Sequence, residues 1–75
     1  MSKKSDLTLK EIEILSFMAR GYLNKQIAAS FNTTEQTIKN YISRIFLKLN
    51  AANRTEAVTK AVYNGLISLD ITGND

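Results

Sequence analysis

Cysteine, histidine and proline are all missing from this 75-residue chain. Without cysteine there is no disulfide framework, no thiolate nucleophile and no cysteine cage for a metal. Without histidine the usual general base near neutral pH is gone, and so is the commonest imidazole ligand. The remaining side chains suggest no acid, base or metal cluster, so neither catalysis nor a cofactor is expected. The missing proline leaves helix permitted everywhere along the chain. Long hydrophobic runs are missing too. No stretch reaches the roughly 18 apolar residues of a membrane span, and the lysines of the opening MSKKSDLT precede no apolar signal-peptide core. An intracellular soluble domain without membrane contact is the expectation.

What is present suits one small globular unit. Hydrophobic residues make up 44% and charged residues 23%, too apolar and too weakly charged for a disordered chain. The formal charge of +3 is unevenly placed. Arg20, Lys25, Lys39, Arg44, Lys48 and Arg54 face Glu35 alone between residues 20 and 54, a net charge of +5. The flanking segments are neutral or acidic. A basic middle is an electrostatic footprint for a polyanion, although a basic helical segment is more often a solvated face.

Caps and periodicity predict four helices. Thr8-Leu9-Lys10-Glu11 is a capping box that opens the first. Ile12, Leu15, Met18 and Ala19 follow at helical spacing, with Ile14 at the edge of the stripe and Gly21 as the stop. A short second helix spans roughly residues 24–30, with Leu23, Ile27 and Phe31 one turn apart. The third begins at the N-cap Thr34 and carries Ile38, Ile42, Ile45 and Leu49, the cleanest amphipathic pattern in the chain. Asn50 then suits a left-handed C-terminus. The fourth is expected to start behind Thr55, carry Ala57, Val58, Ala61 and Val62, and stop at Gly65. The expected organisation is a flexible segment 1–6, a folded domain 7–67 and a polar tail 68–75.

Ala28, Asn32 and Ile38 fit a helix-turn-helix: a small residue where two helices cross, a left-handed turn residue, and an apolar anchor for the second helix. The spacing fits an αα-corner in any small bundle equally well. The far face of the third helix favours the first reading. At about 100° per residue, Gln36, Lys39, Asn40 and Ser43 gather opposite the isoleucines. These residue types address base edges or phosphates, and Glu35 is the one acidic residue of that helix. Leu47 also points outward and fits no such role.

The segment from Leu7 to Ile67 resembles the LuxR-type (GerE-like) helix-turn-helix domain of bacterial transcription regulators. The matching blocks are LT-x-KE-x-E-x-L, ARG followed by NKQIA, TTEQTIKNYIS, KLN and NRTEAV, in that order along the chain. The resemblance implies an all-α, four-helix domain that binds double-stranded DNA sequence-specifically and regulates transcription, with its third helix in the major groove. It implies Lys39, Asn40 and Ser43 as base-facing residues, and Asn24, Lys25, Thr34 and Thr37 as phosphate-facing ones. Arg54 is placed near the DNA backbone or as a buttress that pairs with Glu11 or Glu13. Lys48 and Lys60 are left as solvated charges.

The family also implies a dimer through the fourth helix, on an inverted-repeat operator. The apolar surface of that helix suggests Val62, Tyr63 and Leu66 for the contact, although all three could instead close the domain's own core. RNA polymerase is a further implied partner, the bacterial cytoplasm the implied location, and no small-molecule ligand is expected in this domain. Both a stand-alone regulator and the output half of a larger one fit. A helical protein-interaction module that keeps the fold without binding DNA is the competing class. Four positions depart from the family pattern. Leu23 replaces serine or threonine, which passes the second helix's cap to Asn24. Thr33 replaces isoleucine or valine, Tyr41 stands where histidine is frequent, and Asn50 stands where glycine is.

Overall fold

The computed structural model describes residues 6–68. The expected flexible segment 1–6 and polar tail 68–75 lie outside the described residues, apart from Asp6 and Ser68. Within them the chain forms α1 (Leu9–Ala19), α2 (Asn24–Ser30), α3 (Glu35–Leu49) and α4 (Arg54–Tyr63). None of these helices is long and apolar enough to cross a membrane.

One stop signal recurs four times. Gly21, Asn32, Asn50 and Gly65 all have positive φ, at 86°, 55°, 56° and 74°. The residue after each sends its N–H back into the preceding helix: Tyr22 to Phe17, Thr33 to Ala28, Ala51 to Phe46 and Leu66 to Ala61. This is the Schellman closure, which satisfies carbonyls that a helix end would leave orphaned. Glycine enters the left-handed region freely, and asparagine is the side chain that tolerates it best.

The helix starts are less uniform. Thr8 and Glu11 form the expected capping box, with Glu11 N–H to Thr8 Oγ1 at 3.2 Å and Thr8 N–H to Glu11 Oε1 at 3.0 Å. The cap of α2 does not pass to Asn24, which is already helical. Leu23 occupies the N-cap and has no acceptor to offer, so only the return half of a box forms: Gln26 Oε1 accepts the Leu23 N–H at 2.7 Å. The start of α4 lies earlier than expected. Asn53 caps it, accepting the Glu56 N–H at 2.8 Å, while Glu56 reaches back to the Ala52 N–H at 2.6 Å. Asparagine is the stronger cap, and its partner glutamate three residues on completes the signal, so Thr55 is inside the helix.

The core is Leu7, Ile14, Leu15, Met18, Ile27, Ala28, Ile38, Ile42, Ile45, Ala57, Ala61 and Ile67. α2 packs chiefly on α3, and α1 bridges α3 and α4. Two expectations about the core change. On α1 the buried stripe is Glu11, Ile14, Leu15 and Met18, so Ile14 is central, while Ile12 and Ala19 are only partly buried. A buried glutamate within the stripe disguised its phase. Leu23 is 61% exposed, because it precedes the first turn of α2 and drops out of register with Ile27.

Lys48 and Lys60 are not the free solvated charges expected of them. Lys48 Nζ donates to both carboxylate oxygens of Glu11, at 2.9 and 3.2 Å, and to the Asp6 carbonyl at 3.1 Å. Lys60 Nζ donates to the Asn50 carbonyl at 2.7 Å, tying α4 to the end of α3. Burial by itself pushes the Glu11 carboxyl up. The Thr8 backbone N–H, the Lys48 ammonium and the Thr8 hydroxyl together outweigh burial and hold the group below its ordinary value.

Candidate nucleic-acid interface

The surface of interest is built outward from a fixed helix. Ile38, Ile42 and Ile45 anchor α3 in the core, and the α2–α3 turn sets its direction. Ala28 is buried where α2 passes α3, and Asn32 supplies the left-handed step between them. Phe31, the last residue before that step, lies edge-on to Phe17 with ring centroids 5.6 Å apart. The Lys10 ammonium sits 4.9 Å from the centre of the Phe31 ring. An αα-corner with this spacing and a left-handed asparagine at its turn is the helix-turn-helix geometry.

With one side of α3 anchored, its other side is left to solvent. Gln36, Lys39, Asn40, Ser43 and Leu47 are all exposed. The first four form a polar surface about two turns long without a carboxylate, and Leu47, 82% exposed, ends it. Lys25 is exposed near the start of α2. The Lys48–Glu11 pair is the single salt bridge among the described residues, so Lys25, Lys39 and Arg44 are not paired with any described carboxylate. Arg44 lies over the Tyr41 ring at 5.5 Å, beside the polar face. Sequence reading did not single out Arg44. Its signal is a cation three residues after an aromatic on one helix, which lets the guanidinium stack on the ring.

The remaining site residues sit around the N-termini of α2 and α3. Thr34 Oγ1 accepts the Thr37 N–H at 3.1 Å, which caps α3, and its own hydroxyl donates to Thr37 Oγ1 at 3.0 Å. That leaves the Thr37 hydroxyl proton free to point outward. Asn24 Oδ1 accepts from Arg54 Nη1 at 3.1 Å, which turns the asparagine NH2 away from the arginine. Arg54 Nη2 also donates to the Tyr22 carbonyl. Arg54 therefore ties the start of α4 to the α1–α2 connection, a buttress with partners other than Glu11 or Glu13. Glu11 is committed to Lys48 instead.

The fourth-helix candidates divide. Tyr63 is 89% exposed and belongs to no core. Val62 and Leu66 are partly buried against the core, and with Gly65, Ile67 and Ser68 they line an open groove at the end of α4.

Comparison with known proteins agrees with this architecture. The family described as bacterial regulatory proteins, luxR family, matches residues 5–61. The transcriptional regulatory protein DegU of Brevibacillus brevis is 38% identical over 63 residues, covering 84% of this chain and 27% of that protein. The transcriptional regulatory protein YdfI of Bacillus subtilis is 39% identical over 67 residues, 89% of this chain and 32% of its own length. The response regulator protein VraR of Staphylococcus aureus is 39% identical over 71 residues, again 89% of this chain and 34% of its own. The chain thus spans about a third of the length of the relatives it matches. Its four helices, the left-handed turn at Asn32 and a family match over most of its length show that this chain belongs to the luxR family of bacterial regulatory proteins.

Proposed function

We propose that this domain binds double-stranded DNA sequence-specifically and regulates transcription, with α3 in the major groove. The observation that carries the reading is the outer face of α3. Gln36, Lys39, Asn40 and Ser43 are exposed on it, beside cations outside any described salt bridge, while three buried isoleucines fix the helix from behind. A helix of this diameter fits the major groove of B-DNA, and these side chains match what base edges offer. Lys39, Asn40 and Ser43 take the base-facing role.

Phosphates are met by donors around the two N-termini. The Asn24 NH2 and the Lys25 ammonium come from α2. The Thr37 hydroxyl and the first N–H groups of α3 behind Thr34 come from the other helix, whose positive end favours anions. Arg54 acts by holding Asn24. Such contacts position the protein on the duplex, and the base-facing residues supply the selectivity.

The operator is an imperfect inverted repeat, with half-sites about one helical turn apart, bound by a dimer that meets through Val62, Tyr63 and Leu66 on α4. One short helix pair buries well under the roughly 1,200 Å² of a stable complex, so the free protein is mostly monomeric and dimerises on DNA. The domain works in the bacterial cytoplasm, as a regulator by itself or as the output part of a longer protein, with RNA polymerase as a downstream partner.

Titrating a labelled duplex at several salt concentrations tests the reading. Affinity that falls steeply with salt is expected, because each phosphate contact releases a counterion. A protein-interaction module of the same fold would show no such binding.

A further inference from the structure

Two side chains on the outer face of α3 are bonded to each other. Gln36 Nε2 donates to Asn40 Oδ1 at 3.1 Å, and both residues are exposed. An unconstrained asparagine amide rotates and offers either its NH2 or its carbonyl to whatever lies in front of it. The bond restricts that freedom. Asn40 Oδ1 is turned along the helix toward Gln36, so the Asn40 NH2 is the end left unengaged, and Gln36 keeps a free carbonyl. Rotating both amides together would exchange the two ends and still leave one free NH2 beside one free carbonyl. In either sense the pair displays a donor next to an acceptor.

We propose that Gln36 and Asn40 form one adenine-reading unit, in which Gln36 is a specificity-determining residue that positions the Asn40 amide. The proposal rests on the reading that this face of α3 meets base edges. Adenine presents the N7 acceptor beside the N6 amino donor in the major groove, whereas guanine presents two acceptors, N7 and O6. The paired amides complement adenine. Against guanine the Gln36 carbonyl would face O6, lone pair to lone pair. Because the pair already exists without DNA, less side-chain freedom remains to be lost on binding.

Selection from a random duplex library at one salt concentration tests this, using the parent, Gln36→Ala, Asn40→Ala, the double variant and Lys39→Ala. The parent is expected to prefer an A·T pair at one position of each half-site. Gln36→Ala and Asn40→Ala should relax that same position by about five- to tenfold, and the double variant by no more than either single change. A G·C preference there, or Gln36→Ala relaxing a different position or none, would overturn the proposal. If Asn40→Ala and Lys39→Ala both leave every preference unaltered, the placement of α3 against the bases fails first and takes this unit with it. A second readout needs no DNA. The Asn40 side-chain couplings, measured by NMR, should show rotamer averaging once Gln36 is alanine; unchanged couplings would show that Gln36 does not hold the amide.

Discussion

The Lys48 ammonium sits 2.9 Å from Glu11 Oε1, joining the last turn of α3 to the first turn of α1 across 37 residues of sequence. The carboxylate it meets is 3% exposed while the lysine side chain is 30% exposed, so the anion is the partner that depends on the pair. Removing Lys48 strands a buried charge, whereas removing Glu11 frees a lysine that can turn to water.

That asymmetry sets the response to acid. The Glu11 carboxyl lies below its ordinary value of 4.5 in the fold, so its stabilising contribution is fully present above that value. It is lost as the pH falls through the lower, folded-state value. Thermal melts of the parent should therefore hold their midpoint from neutrality to about pH 5 and decline below it, as far as this group is concerned. Glu11→Gln should melt lower at neutral pH and show a shallower acid decline. Lys48→Met should destabilise by about 1–3 kcal/mol at neutral pH, less than for a fully buried pair because the lysine is partly solvated. An acid decline as steep in Glu11→Gln as in the parent would place the titrating group elsewhere.

Asn32, at φ 55°, is predicted to accept glycine and reject β-branched residues. Asn32→Gly should melt at or slightly above the parent. Asn32→Val should lose about 1–2 kcal/mol, because its branched side chain meets its own backbone in the left-handed region. A valine variant as stable as the parent would contradict the turn.

Arg54→Ala should lower stability by about 1–2 kcal/mol through loss of its bonds to Asn24 and the Tyr22 carbonyl. It should also weaken DNA binding alike for all sequences, since Asn24 is no longer held. As a buttress it should leave the salt slope unchanged. A slope reduced by about one would instead make Arg54 itself a phosphate contact.

Tyr63 gives the cleanest probe of the proposed dimer, because its exposure makes Tyr63→Glu harmless to the monomer. Cooperative occupancy of two half-sites should disappear in that variant while single half-site binding and the melting midpoint persist. Val62→Glu should do the same with some loss of stability, since Val62 also packs on the core. Unchanged cooperativity in both would remove α4 from the interface.

Much of this was legible in the sequence, for reasons that can be named. Ile38, Ile42 and Ile45 repeat without interruption, so the orientation of α3 and its solvent face followed from periodicity. Asn32 and Asn50 were readable as left-handed stops because few other side chains suit that conformation. Much of what stayed hidden depends on contacts between distant residues. Glu11 was readable as half of a capping box, but neither its burial nor its partner Lys48, 37 residues on, was. With Glu11 buried, the stripe of α1 centres on Ile14 and Leu15. Arg54 could be recognised as a possible buttress, but its acceptors, the Asn24 side chain and the Tyr22 carbonyl, are set only once α1, α2 and α4 have packed. The Gln36–Asn40 bond is local, at helical spacing, and was within reach of the sequence.

With α3 proposed to read bases and the helix N-termini to hold phosphates, Lys39→Ala and Lys25→Ala are expected to differ in kind. Affinities of both variants should be measured for a selected site and for random duplex across a range of salt. Lys39→Ala should lose about 1–3 kcal/mol at the selected site and relax the preference there. Lys25→Ala should weaken both duplexes equally and reduce the salt slope by about one. Equal, sequence-independent losses in the two variants would contradict the assignment of α3 to the base edges.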